Sequence, residues 1–378
     1  MKAAENRTIG VIGSGRMGTD IAYFLNELNF NLVWICIDEE EKFRLNKSFK
    51  IKTDRLSRNG IISHDELRKR TDAMVISCSL RDISSCDIII EAIDENAAAK
   101  VKLYTALEPF ARDKAIVVTN TSSFRPSSLV REGMLKHRFA GLHFFFPVKM
   151  KKIVELITTE YTDDVSIAEL RDFISVMGKF CLEMPENEGF VLNRLFLDCQ
   201  AQAVRLHRDG NIDMRAIDAI VKGSIFPRGV FEFFDDVGID VMRQSVINYT
   251  SQLNNRDFYN PLLDFLADLL SRNRLGRKSG SGCYDYPVDI ASLDLPGEKN
   301  KEEIISLLRA IYINSVFKVL EKKIWSVDDM EFAVKEYMDM EEGPLALAEK
   351  IGHGAIREIL KRHYDTTGFE AHRPSSLL

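Results

Sequence analysis

The chain has 378 residues, 45% of them hydrophobic and 29% charged, with a formal net charge of −6. That length exceeds what one hydrophobic core fills and predicts two or three domains, in a chain of ordinary globular composition. The acidic balance without a basic tract argues against a nucleic-acid partner, and no apolar run approaches the ~20 residues of a membrane span.

The six cysteines (36, 78, 86, 181, 199 and 283) show no zinc or redox spacing along the chain, so free thiols, no metal and a cytoplasmic location are expected. A short polar start runs directly into Thr8–Ile12, leaving no stretch of the kind a secretory leader needs.

Thr8–Ile12 is short and apolar, the pattern of a buried parallel strand. Gly13-Ser14-Gly15-Arg16-Met17-Gly18 follows, and residues 19–25 then carry apolar side chains at helical spacing. Strand, Gly-x-Gly-x-x-Gly and helix in that order predict a dinucleotide cradle. Gly13 serves the tight turn, Gly15 the approach of a pyrophosphate, and Gly18 the close packing of helix on strand. Free amides at the helix start face the phosphates.

A second apolar run, 32–37, ends at Asp38, twenty residues after Gly18. A carboxylate there holds both ribose hydroxyls of NAD and repels the extra phosphate of NADP, as do Glu39 and Glu40 beside it. The alternative for Asp38 is a helix-capping acid.

Further strands are predicted at 73–77, 88–92, 115–120 and 139–143, with helical stretches such as 96–110 between most of them. The fold class expected is α/β, a doubly wound Rossmann-type domain followed by an all-α region. Ligands of such a sheet sit beyond the carboxyl ends of its strands. Asp94-Glu95-Asn96, Asn120-Thr121-Ser122-Ser123 and His143 all fall at such ends.

His143 closes one apolar run, and Glu155 lies in the next, 153–157. If the two runs are adjacent strands, Glu155 bonds one imidazole nitrogen and leaves the other to move a proton. Otherwise the pair is a core histidine and an edge carboxylate.

From about Asn187 the spacing turns helical. Near the end, 319–335 echoes 205–222, Gly343-Pro344-Leu345 echoes Gly229-Val230-Phe231, and Lys350-Ile351-Gly352 echoes Asp236-Val237-Gly238. The later matches share one offset of 114 residues, Gly229 against Gly343 and Gly238 against Gly352, as in a duplicated helical unit. The expected domains are 1–186, 187–287 and 300–378, with a break at Pro287-Val288-Asp289 and a polar linker to Asn300.

The glycine loop, Glu91-Ala92-Ile93-Asp94-Glu95-Asn96, Asn120-Thr121-Ser122-Ser123, Ala140-Gly141-Leu142-His143-Phe144-Phe145, Ile153-Val154-Glu155, Gly189-Phe190-Val191-Leu192-Asn193-Arg194 and Gly276-Arg277-Lys278-Ser279-Gly280-Ser281-Gly282-Cys283-Tyr284 follow one another in the chain. Together they resemble the L-3-hydroxyacyl-CoA dehydrogenase family, including its 3-hydroxybutyryl-CoA members, over roughly residues 8–286.

The resemblance implies NAD-dependent oxidation of a (3S)-3-hydroxyacyl-CoA to the 3-ketoacyl-CoA, or the reverse reduction, as in fatty acid β-oxidation. It implies His143 as base, Glu155 as its orienting carboxylate, and Ser122 and Asn193 as ligands of the substrate oxygen. Gly13, Gly15, Met17 and Gly18 would cradle the cofactor, Glu95 and Lys100 would lie near its nicotinamide half, and Lys278 near it when the domains close. Larger members carry two helical copies; single-copy members pair through this domain, so homodimer and monomer both stay open.

The pattern breaks where Phe146 replaces the family asparagine, at Glu188 and Val230 in place of prolines, and at Cys283 in place of an aromatic. Phe146 is expected to line the acyl pocket and to adapt it to an alicyclic or otherwise atypical ester. A non-catalytic NAD- or CoA-binding protein is the competing reading. Lys42, Lys47, Lys50 and Lys52 could meet CoA phosphates or form a solvated face.

Overall fold

The computed structural model describes residues 7–130, 132–251, 253, 255–287 and 298–378. Residues 1–6, the Glu188 side chain, and the expected break after Pro287 with most of its linker lie outside the described residues. The chain divides into two compact units, Met1–Phe190 and Val191–Leu378.

The first unit alternates strand and helix: β1 (Thr8–Ile12), α1 (Arg16–Glu27), β2 (Asn31–Ile35), α2 (Glu39–Arg58), α3 (His64–Asp72), β3 (Met74–Ser77), β4 (Ile88–Glu91) and α4 (Ala97–Leu107). It continues with β5 (Ile116–Thr119), α5 (Pro126–Leu129), β6 (Phe139–Phe144), β7 (Ile153–Thr158), α6 (Asp164–Val176) and β8 (Phe180–Pro185). The strands form one sheet in the order β3-β2-β1-β4-β5-β6-β7-β8. Pairing is parallel from β3 through β6, β7 runs antiparallel to β6, and β8 is parallel to β7.

Strand periodicity sends neighbouring side chains to opposite faces, and both faces are buried. Leu32 and Trp34 join Ile21 and Leu25 of α1 and Phe173 of α6 in one core. Val33 and Ile35 join Tyr104 and Leu107 of α4 in the other. β8 has no counterpart among the predicted strands. It is one of the two edge strands, and Glu183 interrupts its apolar pattern, as charge on an edge does.

The second unit is helical: α7 (Val191–Leu195), α8 (Leu197–Arg208), α9 (Met214–Ser224), α10 (Val230–Val237), α11 (Ile239–Thr250), α12 (Asn260–Ser271), α13 (Glu298–Glu321), α14 (Val327–Met338), α15 (Pro344–Ile351) and α16 (His353–Thr367). The echo along the chain is also an echo in geometry. α10 and α15 coincide at the 114-residue offset, each opened by a glycine.

Asp218 on α9 accepts the Phe231 and Glu232 amides at 3.0 Å, and Glu331 on α14 accepts the Leu345 amide at 2.9 Å. A β-carbon on Gly229 or on Gly343 would lie 2.2 Å from the carboxyl group of Asp218 or Glu331, and buried Asp218 has no room to yield at Gly229. The two halves are tied together by buried and half-buried contacts. Arg309 donates to the Ser224 carbonyl at 2.7 Å, Ser315 to Asp198 at 2.9 Å, and His372 Nε2 meets Gln202 Oε1 at 3.0 Å.

Burial pushes the Asp218 carboxyl up to about 6 and pulls the His372 imidazole down to about 4, with His363 and Arg205 adding to the latter. The signs oppose. The folded state takes up the Asp218 proton more readily than the unfolded chain, so that group adds stability as pH falls through about 6. The neutral His372 contributes stability above its ordinary 6.5, and that contribution is lost as pH falls towards about 4. His372→Gln is therefore expected to shift the balance between pH 7 and 5 towards greater stability on acidification. Denaturant midpoints of both proteins at the two pH values check this, and parallel midpoints would contradict it.

All six cysteines are free. Cys36 and Cys78, 42 residues apart, bring their Sγ atoms to 3.6 Å at the ends of adjacent strands, a proximity invisible in linear spacing.

Candidate active site

Parallel pairing places the end of β1 between those of β2 and β4, where successive crossovers diverge to opposite sides of the sheet. The glycine loop occupies that point. A β-carbon on Gly13 would lie 2.4 Å from the Ala92 carbonyl oxygen, and one on Gly18 would lie 2.3 Å from that of Gly13. One on Gly15 would meet nothing within 4 Å, so the backbone is bare where a pyrophosphate approaches. Trp34 Nε1 donates to the Gly13 carbonyl at 2.8 Å and fixes the turn. Met17, the second residue of α1, packs partly buried against the core. This loop fits a dinucleotide.

Asp38 is exposed beyond the end of β2, and its Oδ1 accepts the Glu41 amide at 2.8 Å as the cap of α2. The capping alternative is therefore real. It occupies one carboxylate oxygen, and no bond engages the other among the described residues. Lys42 pairs with Glu39, and Lys52 lies 3.8 Å over the Tyr23 ring.

At the ends of β4 and β5 the structure assembles more than the motifs announced. Glu91 is fully buried and accepts from Lys100 Nζ at 2.6 Å, Thr119 Oγ1 at 2.7 Å, the Ile93 amide at 2.8 Å and the Tyr104 hydroxyl. Lys100 is itself only 1% exposed and lies 3.5 Å from Glu95. Burial and the adjoining Glu91 carboxylate hold the Tyr104 hydroxyl in its protonated, donating form.

Glu95 Oε1 in turn accepts from Thr121 Oγ1 at 2.6 Å, Ser123 Oγ at 2.9 Å and the Ser122 amide at 3.0 Å. The Ser122 hydroxyl lies farther off, at 3.5 Å. Asn120 Oδ1 accepts the Phe144 amide at 2.9 Å and ties this loop to the end of β6. No linear pattern places Glu91, Tyr104 and Thr119 together. Glu91 stands in a recognised motif, but its burial depends on three elements that meet only in the fold.

β6 and β7 are adjacent antiparallel strands, with His143 directly opposite Glu155. Their side chains meet at 2.7 Å, Nδ1 to Oε2, with the glutamate fully buried. An ionised carboxylate can only accept, so Nδ1 carries the hydrogen and the lone pair is left on Nε2. No bond engages Nε2 among the described residues. Phe145 and Phe190 stand edge-on to the imidazole, with ring centroids 4.6 and 5.7 Å away, and restrict its rotation. A histidine oriented in this way can take a proton from a substrate hydroxyl or return it.

Phe146 is 42% exposed, and the Arg16 guanidinium lies 3.8 Å from its ring centre. The remaining two expected residues belong to the helical unit. Asn193 sits between two tyrosines, its Nδ2 donating to the Tyr249 hydroxyl at 3.1 Å and its Oδ1 accepting from Tyr337 at 2.9 Å. Tyr337 lies on α14, far along the chain from Asn193, and its hydroxyl helps to orient the Asn193 amide. Lys278 Nζ pairs with both Asp240 oxygens at 2.6 Å. No cluster of metal-ligating side chains occurs among the described residues, and no helix of theirs is long and apolar enough to cross a membrane.

Comparison with known proteins gives the family. The family models described as the NAD binding domain and the C-terminal domain of 3-hydroxyacyl-CoA dehydrogenase match residues 8–187 and 189–286. The mitochondrial hydroxyacyl-coenzyme A dehydrogenase of Sus scrofa is 31% identical over 288 residues, covering 74% of this chain and 90% of that protein. The 3-hydroxybutyryl-CoA dehydrogenase of Bradyrhizobium diazoefficiens is 29% identical, over 75% of this chain and 97% of its own length.

Among solved structures, the (S)-3-hydroxybutyryl-CoA dehydrogenase PaaH1 of Ralstonia eutropha aligns with a TM-score of 0.67 at 27% identity, over 74% of this chain and 99% of its own. The fold of a 3-hydroxybutyryl-CoA dehydrogenase from Escherichia coli K12 covers 98% of this chain and 97% of its own with a TM-score of 0.84, at 22% identity. With both family models matched in order over most of its length, the chain belongs to the 3-hydroxyacyl-CoA dehydrogenase family and is an NAD-dependent oxidoreductase.

Proposed function

We propose that this chain interconverts a (3S)-3-hydroxyacyl-CoA and its 3-ketoacyl-CoA, with His143 as the acid–base group. The observation that carries the reading is the buried His143–Glu155 pair, which leaves Nε2 to exchange the proton. In oxidation the substrate O–H bond breaks towards Nε2, and Glu155 stabilises the imidazolium that results. NAD, when bound, supplies the acceptor for the hydride. Ser122 and Asn193 hold the substrate oxygen, with the Asn193 amide oriented by Tyr249 and Tyr337.

Gly13, Gly15, Met17 and Gly18 cradle the cofactor phosphates, and the free oxygen of Asp38 takes the ribose. Glu95 and Lys100 lie near the nicotinamide half of NAD, with Lys100 holding Glu95 beside the Ser122 loop, and Lys278 is a further cofactor contact. Domains at 1–186 and 187–287 follow the family matches at 8–187 and 189–286; the helical repeat forms a third, at 300–378, and the protein is cytoplasmic. The second helical copy covers the first from within one chain, which favours fewer contacts between subunits than in a single-copy dimer.

The test is NADH absorbance loss with acetoacetyl-CoA and then with longer and cyclic 3-ketoacyl-CoA esters. Silence across the panel with NADH still bound would turn the reading to a non-catalytic binder.

A second reading, in which the acyl group is alicyclic or otherwise atypical, is favoured by the exposed Phe146 ring three residues after the base. Phe146→Asn is then expected to raise kcat/KM for acetoacetyl-CoA roughly tenfold at saturating NADH, the scale of a modest change in pocket shape. An unchanged ratio would remove Phe146 from the acyl site.

A further inference from the structure

We propose that Arg16 is a phosphate ligand of this dehydrogenase, held over the glycine loop by Phe146, and that it grips the pyrophosphate of NAD. The inference rests on the dehydrogenase reading and adds to it a residue that the motif leaves as an unspecified x.

Arg16 is the first residue of α1 and directly follows Gly15, whose missing side chain leaves open space. It is exposed, and no carboxylate pairs with it among the described residues. Its partner among the described residues is the Phe146 ring, with the guanidinium 3.8 Å from the centroid. That distance is well inside the ~6 Å reach of a cation–π contact.

The stack belongs to a longer seam between α1 and the connection from β6 to β7. Asp20 Oδ2 accepts the Val148 amide at 2.6 Å, and Lys149 pairs with Glu27. Residues 16, 20 and 27 follow the four-and-seven spacing of a single helix face. Buried Lys179 closes the same connection from below, donating to the Val148 and Lys151 carbonyls at 2.6 Å. The loop that carries Phe146 is thereby fastened along the phosphate-binding helix, and Arg16 lies at the end of that seam nearest the bare Gly15 backbone.

Three physical consequences follow from this placement. An arginine presents several donors in a plane suited to phosphate oxygens, and its charge adds to the positive end of α1. Stacking on an aromatic face holds the plane without using its N–H groups, so less freedom remains to be lost on binding. Finally, Phe146 stands three residues after His143 on the same segment, so one side chain links the cofactor cradle to the strand bearing the base. An asparagine at 146 would offer no ring for this stack.

CoA also carries phosphates, so the ligands must separate the two sources. The full chain is titrated calorimetrically with NADH, ADP-ribose, adenosine and CoA, as wild type, Arg16→Ala, Phe146→Leu and the double variant. Arg16→Ala is expected to weaken NADH and ADP-ribose roughly tenfold, the scale of one charge-assisted hydrogen bond, leaving adenosine and CoA within twofold. Phe146→Leu keeps apolar bulk without a π face and should weaken NADH about threefold, in the range of an exposed cation–π contact. The double variant should lose no more than Arg16→Ala alone, because the ring acts through the arginine.

Unchanged NADH affinity in Arg16→Ala overturns the proposal. Loss confined to CoA overturns the cofactor assignment and moves Arg16 to the substrate. A wild-type chain that binds no NADH sinks the dehydrogenase reading and the proposal together, whereas a wild type that binds and turns over while Arg16→Ala is unaffected sinks only the proposal.

Discussion

His143→Gln is expected to lower kcat for acetoacetyl-CoA reduction by roughly a hundredfold to ten-thousandfold, the usual contribution of a positioned acid–base group. NADH affinity should stay within about twofold of wild type. Both expectations come from the position of the residue. The imidazole sits in the β6–β7 ladder, bonded to Glu155 and flanked by Phe145 and Phe190, while the glycine loop belongs to the β1–α1 turn.

Glutamine can still donate an amide hydrogen towards Glu155, so the buried carboxylate need not be stranded. What glutamine cannot do is accept a proton near neutral pH. Steady-state rates with acetoacetyl-CoA, beside a fluorescence titration with NADH, separate the two effects. Retained turnover would place the base elsewhere, and a matching loss of NADH binding would point to local unfolding.

Glu91→Ala is expected to have the largest effect on stability. The change removes a fully buried carboxylate that receives four donors, among them the ammonium of Lys100, itself 1% exposed. Breaking a buried ion pair from one side typically costs about 3–5 kcal/mol, because the surviving charge keeps its desolvation penalty and loses its partner. For a unit of this size that corresponds to a fall in Tm of roughly 6–20 °C.

Lys100 would then turn to Glu95, 3.5 Å away, and pull on the loop that Glu95 holds through Thr121, Ser122 and Ser123. Activity should fall along with stability. Adding Lys100→Met removes the stranded charge, so the double variant should recover part of the lost Tm. Thermal unfolding of the three proteins decides the matter. A single variant within 2 °C of wild type would mean that water or Glu95 satisfies Lys100 at little cost.

Both predictions concern residues whose neighbours come from distant parts of the chain, and the sequence alone discloses such neighbours unevenly. The glycine loop could be read directly because its signal is local. Strand, glycines and helix are consecutive, and each glycine answers a backbone constraint within a few residues or at the next strand. The His143–Glu155 pair could be read because two apolar runs with a short connection form adjacent strands, which leaves only the register open. A shift of one residue would have sent Glu155 to the opposite face from His143. The helical echo was legible too, since Gly229 and Gly343 answer the same steric demand from Asp218 and Glu331.

Other features depended on the assembled fold. Asp38 had two readings in the sequence, and the structure shows its capping bond directly. The Glu91 cluster joins β4, α4 and β5, and no spacing rule predicts that a glutamate, a lysine, a tyrosine and a threonine will bury together. Tyr337 reaches Asn193 across 144 residues.

What the sequence by itself determined is the family, the glycine loop and the pairing of the strands that carry His143 and Glu155, because these rest on short-range backbone geometry and on periodic burial. What only the tertiary structure decided is which polar groups satisfy one another in the interior, and that Arg16 rests on Phe146. A buried donor must find an acceptor wherever packing places one, and packing sums over the whole chain.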